Sequence, residues 1–368
     1  MLFVLKTKKY RMSHKHVVRT LNRRGGNIIS TLSKRGADQT MRALFGASIL
    51  AISFLLMMGQ RGFAFERGAS FTVLPGTTMG LPYAYTGTPG LYFYSLANYG
   101  TVSVPREVSP NIGFGPGSIK ADVADEIPAL LWTTPWTLFG ARYAVLVTQP
   151  MVSVSSYGQV PGLGWVTRQT GGLRDPIISP LNLSWDLKNG WHIGAGFSMA
   201  IPIGRIKGIN GLDSAGAPYW TLQPNMGVSY LRDGWDLSAT LLYDFYTTNP
   251  HSHVTDGQAL YLDLTATKMF GRFEIGPVGY VAFQTTRDSG GDPAAFIASR
   301  GLVNSCQPIA PNVSNGCVRA AKAGVGAKIG YHIGRAQIAV LATGSVLSHG
   351  QGGSDGWRVW TQFSWKLY

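Results

Sequence analysis

Apolar and polar residues alternate along most of the chain after residue 90, in runs much longer than an ordinary strand. From Trp191 to Ile203 the odd positions are mostly apolar or aromatic, and the even positions are mostly small or polar. The segments beginning at Trp235 and Phe273 repeat this pattern. Alternation of this kind gives a strand one apolar and one polar face. Strands of soluble sheets average about five or six residues, whereas a tilted membrane strand needs about 9–11. The length of the runs therefore favours strands that span a membrane.

Twelve segments carry the pattern, and the connections between them alternate between short and long. The predicted strands are 91–104, 125–134, 141–157, 174–187, 190–204, 216–231, 234–248, 257–271, 273–285, 318–332, 335–348 and 355–368. The short connections include Asn189-Gly190 and Asp233-Gly234, which suit tight hairpins because glycine adopts positive φ. The long connections are 105–124, 158–173, 205–215, 249–256, 286–317 and 349–354. Outer-membrane barrels combine short periplasmic turns, long external loops and an even strand count. The sequence therefore predicts an all-β, transmembrane antiparallel β-barrel of about 12 strands.

The composition agrees with a barrel that faces lipid. Only 14% of the residues are charged, whereas an average soluble domain has about 25%. Outside one N-terminal segment, no apolar run reaches the ~20 residues that a membrane helix needs. In lipid, backbone polar groups can be satisfied only within helices or closed barrels. A closed barrel is therefore the membrane architecture that the composition allows.

The net charge of +14 superficially resembles that of a nucleic-acid-binding protein, but the charge is concentrated at the N-terminus. Residues 1–64 hold twelve of the 32 basic residues and one of the 18 acidic residues. The 20 bases and 17 acids that remain give residues 65–368 a net charge near +3. A basic partner surface for nucleic acid is not present in that part of the chain, so we expect no nucleic-acid partner.

The N-terminal region has the features of an export signal. Ala43–Met58 is apolar, follows Arg42 and is followed by the small-x-small pattern Gly62-Phe63-Ala64. This arrangement predicts a signal peptide over residues 41–64 that is cleaved near Ala64. Residues 1–40 are interpreted as an over-extended gene start or a long n-region, and an N-terminal membrane anchor is the remaining alternative. We expect the processed chain in the outer membrane of a Gram-negative bacterium.

Two further segments leave alternatives open. Residues 65–90 precede the barrel of residues 91–368, are rich in Gly, Pro and Thr, and are predicted to be a periplasmic lead-in or a partial plug in the lumen. Cys306 and Cys317 lie eleven residues apart in a polar segment. In an exported protein such a pair predicts a disulfide that closes one loop, and two free thiols are the alternative.

The hairpin sequences also carry a family resemblance. SYLRDGWDLSATLLYDFYTTNP and LYLDLTATKMFGRFEIGPVGYVAFQTTRDSG, within residues 229–289, and PGLYFY at Pro89–Tyr94 are examples. They resemble the outer-membrane protein family of the meta pathway of phenol degradation, which is related to sphingosine-responsive outer-membrane proteins. The resemblance covers most of residues 89–368. It implies a transporter with a barrel fold, often encoded near genes that degrade aromatic compounds, and it supplies no catalytic residue.

Polar and ionisable residues on the inward phase of the predicted strands are candidates for the wall of the lumen. They are Asp186, His192, Asp236, Asp244, Tyr261, Asp263, Glu274, Tyr280, Lys322, Lys328 and His332. Both signs of charge occur in neighbouring strands. These residues are interpreted as a cross-lumen salt-bridge network that rigidifies the barrel, or alternatively as a polar constriction that steers solutes. Tyr261 and Tyr280 are candidates for stacking an aromatic solute, and a barrel of about 12 strands encloses a narrow lumen.

Motifs for catalysis are weak. His251 and His253 are two imidazoles without a nearby third ligand, which is poor support for a metal site. Gly113, Gly115 and Gly117 lack the strand–helix context of a nucleotide loop. No HExxH, GxSxG or CxxC motif occurs. We therefore predict that the protein is not an enzyme and has no cofactor or metal.

Three functions remain after these exclusions. The first is a passive outer-membrane channel for small, hydrophobic or aromatic molecules. The second is a structural or adhesive barrel with a filled lumen, whose external loops, especially 286–317, bind partners. The third, which the missing motifs disfavour, is a lipid enzyme embedded in the membrane. The expected partners are the lipid bilayer of the outer membrane, a small hydrophobic or aromatic solute and the outer-membrane assembly machinery.

Overall fold

The regular structure consists of strands. A computed structural model describes residues 70–103, 119–160, 164–206, 215–292, 319–349 and 355–368. The strands are β1 Gly90–Ser103, β2 Ile119–Leu138, β3 Ala141–Thr148, β4 Met151–Val160, β5 Gly164–Leu173, β6 Ile177–Asp186, β7 Trp191–Ala200, β8 Thr221–Arg232, β9 Trp235–Tyr246, β10 Val254–Thr255, β11 Ala259–Phe270, β12 Phe273–Gln284, β13 Ser289–Gly290, β14 Ala321–Ile333, β15 Ala336–His349 and β16 Asp355–Lys366. Among these residues, no helix is long and apolar enough to cross a membrane.

The first and last strands of the barrel pair with each other and close the sheet. Strand β1 pairs with β2 on one side and with β16 on the other, and Tyr92 lies opposite Lys366. The order around the ring is β1-β16-β15-β14-β12-β11-β9-β8-β7-β6-β3-β2, and each neighbouring pair is antiparallel. The prediction of a closed antiparallel barrel of 12 strands is confirmed. Closure leaves no unpaired edge in the ring, which a sheet in lipid requires.

Strands β4 and β5 form a hairpin that extends beyond the ring. Strand β2 pairs with β3 through residues 129–138 and with β4 through residues 119–126. Strand β4 in turn pairs with β5, so that Met151 lies opposite Leu173. The prediction that 158–173 is a long connection is therefore wrong. Residues 164–169 of β5 are all exposed, so neither face of this part of the hairpin is buried in the interior.

The tight turns between neighbouring strands of the ring lie at the end of the barrel where β1 begins and β16 ends. At Asp233-Gly234 the two residues have φ of 54° and 76°, and at Phe139-Gly140 they have φ of 52° and 75°. Positive φ at both central positions is the geometry of the hairpin turn whose twist matches the flanking strands. We refer to this end as the turn side and to the opposite end as the loop side. At the loop side, β10 and β13 pair and join two of the connecting loops.

The outward face of the wall is apolar. Val325, Ile329, Ile338, Val340 and Val346 are each about half exposed or more. Soluble monomers rarely expose an apolar surface of this extent. Alternate residues of the same strands point inward, and Lys328, Ala339, Leu341 and Thr343 are buried there. The wall therefore has the apolar outer band and polar interior of an outer-membrane barrel.

Candidate functional site: the barrel lumen

A non-strand segment lies inside the ring, and we call residues 71–87 the internal segment. At the loop side, Phe71 packs with Ala259 and Ala320, which lie at the loop-side ends of β11 and β14. At the turn side, the Arg142 guanidinium donates a hydrogen bond to the Gly87 carbonyl oxygen. Strand β1 begins three residues later, at Gly90. The internal segment therefore crosses the lumen from the loop side to the turn side.

The Asp263 carboxylate of β11 holds the middle of the internal segment. Its Oδ1 accepts a hydrogen bond from the Gly76 N–H at 3.1 Å. Its Oδ2 accepts hydrogen bonds from the Thr78 N–H at 2.9 Å and from the Thr78 hydroxyl at 2.7 Å. Asp263 is 3% exposed. A buried carboxylate needs such donors, so the segment and the wall satisfy each other.

An ion pair fixes the next part of the internal segment. Lys328 Nζ lies 2.8 Å from Glu274 Oε1 and donates a second hydrogen bond, at 2.6 Å, to the Gly80 carbonyl oxygen. Gln337 Nε2 donates to Glu274 Oε2 at 2.5 Å, and His332 Nε2 lies 3.2 Å from the same oxygen. Lys328 and Glu274 are both buried. The pair is part of a network that connects β12, β14 and β15 to the segment.

Smaller polar contacts hold the segment near the turn side. The Ser184 hydroxyl of β6 donates to the Ala84 carbonyl oxygen at 2.6 Å, and the Ala84 N–H donates to Ser229 Oγ of β8 at 3.3 Å. The Thr133 hydroxyl of β2 donates to the Thr86 carbonyl oxygen. The bonds come from strands on different sides of the ring, so the internal segment is bound around its circumference.

Aromatic side chains cluster at the loop side of the lumen. Phe71 packs with Tyr219, Tyr246 and Tyr261, and its ring centroid lies 5.4 Å from that of Tyr261. Asp244 Oδ2 accepts hydrogen bonds from the Tyr261 and Tyr246 hydroxyls at 2.6 Å and 2.9 Å. All of these side chains are buried. We call this group the aromatic cluster.

A group of basic residues surrounds the Asp125 carboxylate. Asp125 lies 3.5 Å from Arg174 and 3.5 Å from Arg358, measured between oxygen and nitrogen atoms, and its Oδ2 accepts a hydrogen bond from Asn98 at 3.1 Å. Arg358 Nη1 also donates to Asn98 Oδ1 at 2.7 Å. Asp125 is 5% exposed and Arg358 is 7% exposed. With Lys322, which is 3% exposed, Arg174 and Arg358 form what we call the basic cluster.

Asp175, the residue after Arg174, fixes the connection between β5 and β6. Asp175 accepts hydrogen bonds from the Gly204 N–H at 2.8 Å and from the Ala217 N–H at 2.6 Å. Burial raises the pKa of the Asp175 carboxyl, and these two N–H donors act in the opposite direction. The Asp175 carboxyl thereby links the β5–β6 connection to Gly204, which follows β7, and to Ala217, which precedes β8.

The eleven residues that the sequence suggested for the lumen wall do not form one site. Glu274, Lys328 and His332 share one network, and Asp244 and Tyr261 share another. The other six lie apart from these networks. Asp263 and Tyr280 contact the middle of the internal segment, and Lys322 lies in the basic cluster. His192 lies beside Tyr85, Asp236 bonds to Ser238, and Asp186 is exposed beside Lys188 at a tight turn.

Several residues of the lumen were not anticipated. Asp125 and Arg358 lie on the inward phase of their strands, so strict alternation along β2 and β16 would have identified them. Arg174 lies between two strands, and Phe71 lies in a segment without periodicity. The sequence holds no local signal that would place either of them in the lumen.

The sequence also raised the questions of a metal site and of a disulfide between Cys306 and Cys317. Within the described residues, no group of three or more His, Cys, Asp and Glu could hold a metal ion. Cys306 and Cys317 lie outside the described residues, so their disulfide stays a prediction.

The sequence matches one protein-family model over residues 99–304, described as "Putative MetA-pathway of phenol degradation". The match covers more than half of the chain. The protein belongs to this family. The resemblance inferred from the hairpin sequences is thereby confirmed. No curated protein matches the sequence.

Solved structures similar to this family member are outer-membrane proteins. An outer membrane channel from Pseudomonas putida F1 is 14% identical, with a TM-score of 0.56, and the alignment covers 80% of this chain and 99% of the channel. The beta domain of a Bordetella autotransporter is 11% identical, with a TM-score of 0.41 over 76% of this chain and 100% of the other. Because the sequence identity to the Pseudomonas putida channel is low, this similarity shows only the fold, which is that of an outer-membrane β-barrel.

Proposed function

We propose that the protein is an outer-membrane channel through which small, hydrophobic or aromatic molecules pass passively. The observation that carries this proposal is the internal segment, a non-strand part of the chain held in the lumen by hydrogen bonds. The β-strands close the wall without it, so displacement of the segment would open the lumen without breaking strand pairing. The channel from Pseudomonas putida supports the proposal because its fold is similar over 99% of its length.

The preference for aromatic solutes is supported by two observations. The family is described by a pathway of phenol degradation, and Tyr219, Tyr246 and Tyr261 line the lumen at the loop side. Aromatic side chains with fixed hydroxyl partners present apolar faces and edges to a ring of similar size. These tyrosines lie at the loop side, where a solute from outside would enter.

The same proposal places the protein in a Gram-negative outer membrane and treats it as a non-enzyme. The apolar outer band supports insertion in lipid. Cleavage of the signal peptide near Ala64 and insertion by the outer-membrane assembly machinery belong to this proposal. The buried polar groups of the lumen support the non-enzymatic part, because those of Asp263 and Lys328 bind the internal segment.

A structural barrel with a filled lumen is the second candidate, and the internal segment also favours it. Side chains and backbone of residues 71–87 occupy the space between opposite walls, and Met79 is fully buried there. In that case the external loops would carry the function. The two candidates differ in whether the intact protein passes solutes.

Transport by the intact protein decides between them. The processed wild-type protein is reconstituted in planar bilayers and in liposomes, and uptake of radiolabelled benzoate and phenol is measured in cells with and without the gene. We expect intermittent conductance and gene-dependent uptake. A wild-type protein that gives neither conductance nor uptake would overturn the channel proposal. A variant lacking residues 70–86 shows only whether the segment blocks the pore, so it serves as the control for an open lumen.

A further inference from the structure

The ring of Phe71 fills an aromatic pocket at the loop side of the lumen. Phe71 is 3% exposed, and its ring meets that of Tyr261 edge to face, at an interplanar angle of 67°. The rest of the pocket is lined by Tyr219, Tyr246, Leu242 and the small residues Ala259, Ala282 and Ala320. Edge-to-face contact at this separation is a favourable arrangement for two aromatic rings. The pocket therefore has the size and the surface that accept a benzene ring.

The walls of this pocket are held by bonds that do not involve Phe71. Asp244 fixes the hydroxyls of Tyr246 and Tyr261. The Tyr219 hydroxyl donates to Asp256 Oδ2 at 2.6 Å. These tyrosines keep their positions when the Phe71 ring leaves, so the pocket is preformed, as small-molecule sites usually are.

Thr72, the residue after Phe71, is bound through its carbonyl oxygen to the Arg174 guanidinium. Arg174 Nη2 donates a hydrogen bond to the Thr72 carbonyl oxygen at 3.2 Å. An aromatic ring in the pocket and an oxygen acceptor at Arg174 are thus provided by two consecutive residues. A small aromatic acid also combines an apolar ring with an oxygen acceptor.

The charge near Arg174 favours an anionic acceptor over a neutral one. Among the described residues of the basic cluster, the guanidinium groups of Arg174 and Arg358 both face the single carboxylate of Asp125. Arg358 Nε is buried without a hydrogen-bond partner in the described residues. Lys322 lies opposite Ala282, a residue of the Phe71 pocket. Buried positive charge in excess is costly unless an anion compensates it.

We infer that the Phe71 pocket and the neighbouring basic cluster form a binding site for a small aromatic carboxylate. Its ring takes the place of the Phe71 ring, and its carboxylate takes the place of the Thr72 carbonyl at Arg174. Phe71 and Thr72 occupy the site as an intramolecular competitor until the solute displaces them. Asp263 and Lys328 bind later parts of the segment, so displacement of its first residues does not release the whole segment. This inference rests on the proposed function, because the solute reaches the site through the lumen.

Removal of the competitor tests the site. Benzoate is titrated by calorimetry into the processed protein in detergent, as wild type, Phe71→Ala and Leu74→Ala. Leu74 belongs to the same segment but packs against the other cluster of the lumen, around Met79, so its replacement leaves the Phe71 ring in the pocket. We expect Phe71→Ala to bind benzoate about tenfold more tightly than wild type, because a site freed of its competitor regains its intrinsic affinity. Leu74→Ala should bind like wild type. Equal affinities in Phe71→Ala and wild type would overturn the inference.

A second variant tests the part played by the charge. Arg174→Gln should bind benzoate about tenfold more weakly than wild type, whereas its affinity for benzyl alcohol, a ring without a carboxylate, should stay the same. An equal loss for both ligands, or no loss for benzoate, would contradict a carboxylate site. Heat-dependent migration on gels confirms that each variant is folded.

These measurements separate the binding site from the channel. Binding in detergent requires no transport, so conductance without benzoate binding would overturn the site alone. Benzoate binding by a protein that neither conducts nor takes up solute would overturn the channel alone.

Discussion

The ammonium of Lys328 lies 2.8 Å from the Glu274 carboxylate, inside the wall of the barrel. The same ammonium donates a hydrogen bond to the Gly80 carbonyl oxygen of the internal segment. One buried ion pair thus joins two strands of the ring to a part of the chain that belongs to no strand. Stability of the wall and position of the internal segment are therefore coupled at this pair.

Replacement of Lys328 by methionine should destabilise the barrel. Glu274 would keep its charge in a buried position without its cation, which typically costs about 3–5 kcal/mol. We expect a lower melting temperature in heat-dependent gel migration, together with a higher conductance. The double variant Lys328→Met/Glu274→Gln removes both charges and should recover most of the lost stability. A double variant as unstable as the single one would argue against an ion pair as the cause.

Replacement of Asp263 by asparagine should loosen the internal segment. An asparagine offers one oxygen acceptor in place of two, so the Gly76 and Thr78 donors lose part of their binding. Hydrogen bonds to charged groups contribute about 1.5–3 kcal/mol each. We therefore expect channel openings in planar bilayers to be about tenfold more frequent or more. Asp186→Asn is the matched control, since Asp186 is exposed at a tight turn. A similar increase in the control would exclude a specific role for Asp263.

The loss of stability caused by an arginine on the lipid-facing surface should depend on its depth in the bilayer. Val340 lies in the interior of β15 and is 49% exposed, and Ile333 lies at the turn-side end of β14 and is 55% exposed. Arginine costs about 2–4 kcal/mol at the bilayer midplane and about 0–1 kcal/mol near the interface. In lipid vesicles, Val340→Arg should therefore lower the free energy of unfolding much more than Ile333→Arg. Equal effects would mean that this face does not contact hydrocarbon.

The tight turns allow a test of backbone conformation separate from packing. Gly271 has a φ of 64°, and a Cβ added there would meet no atom within 4 Å. Alanine at this position should cost about 1–2 kcal/mol through the left-handed conformation alone. Gly344 also has open space around it but no positive φ, so Gly344→Ala should be neutral or stabilise by about 0.4–1 kcal/mol. Urea unfolding of both variants measures the difference, and a stabilising Gly271→Ala would contradict the turn geometry.

The wall of the barrel could be predicted from the sequence because alternation and turn chemistry are local. The order of the strands follows directly once neighbouring strands form hairpins and the first pairs with the last. The extension formed by β4 and β5 could not be predicted, because outside lipid its faces need not alternate between apolar and polar. The same reason hid Arg174, which lies beside that extension.

The interior of the lumen was less predictable than the wall. Alternation along the strands predicted that Asp263, Glu274 and Lys328 point into the lumen, but it did not predict their partners. The partners of Asp263 and Lys328 in the internal segment lie almost two hundred residues or more away in sequence. Phe71 and Gly80 have no periodicity that would indicate where they lie. Contacts of this range depend on the closed ring and not on local propensity.

The internal segment has a consequence for the order in which the barrel is assembled. Residue 87 lies inside the ring, and β1, which completes the ring by pairing with β16, begins at Gly90. Only two residues separate the enclosed chain from the seam. If β1 and β16 paired first around an empty lumen, the internal segment could enter only by being threaded lengthwise through a closed barrel. Insertion of the segment and sealing of the seam belong to one late folding event, after the last strand has been synthesised.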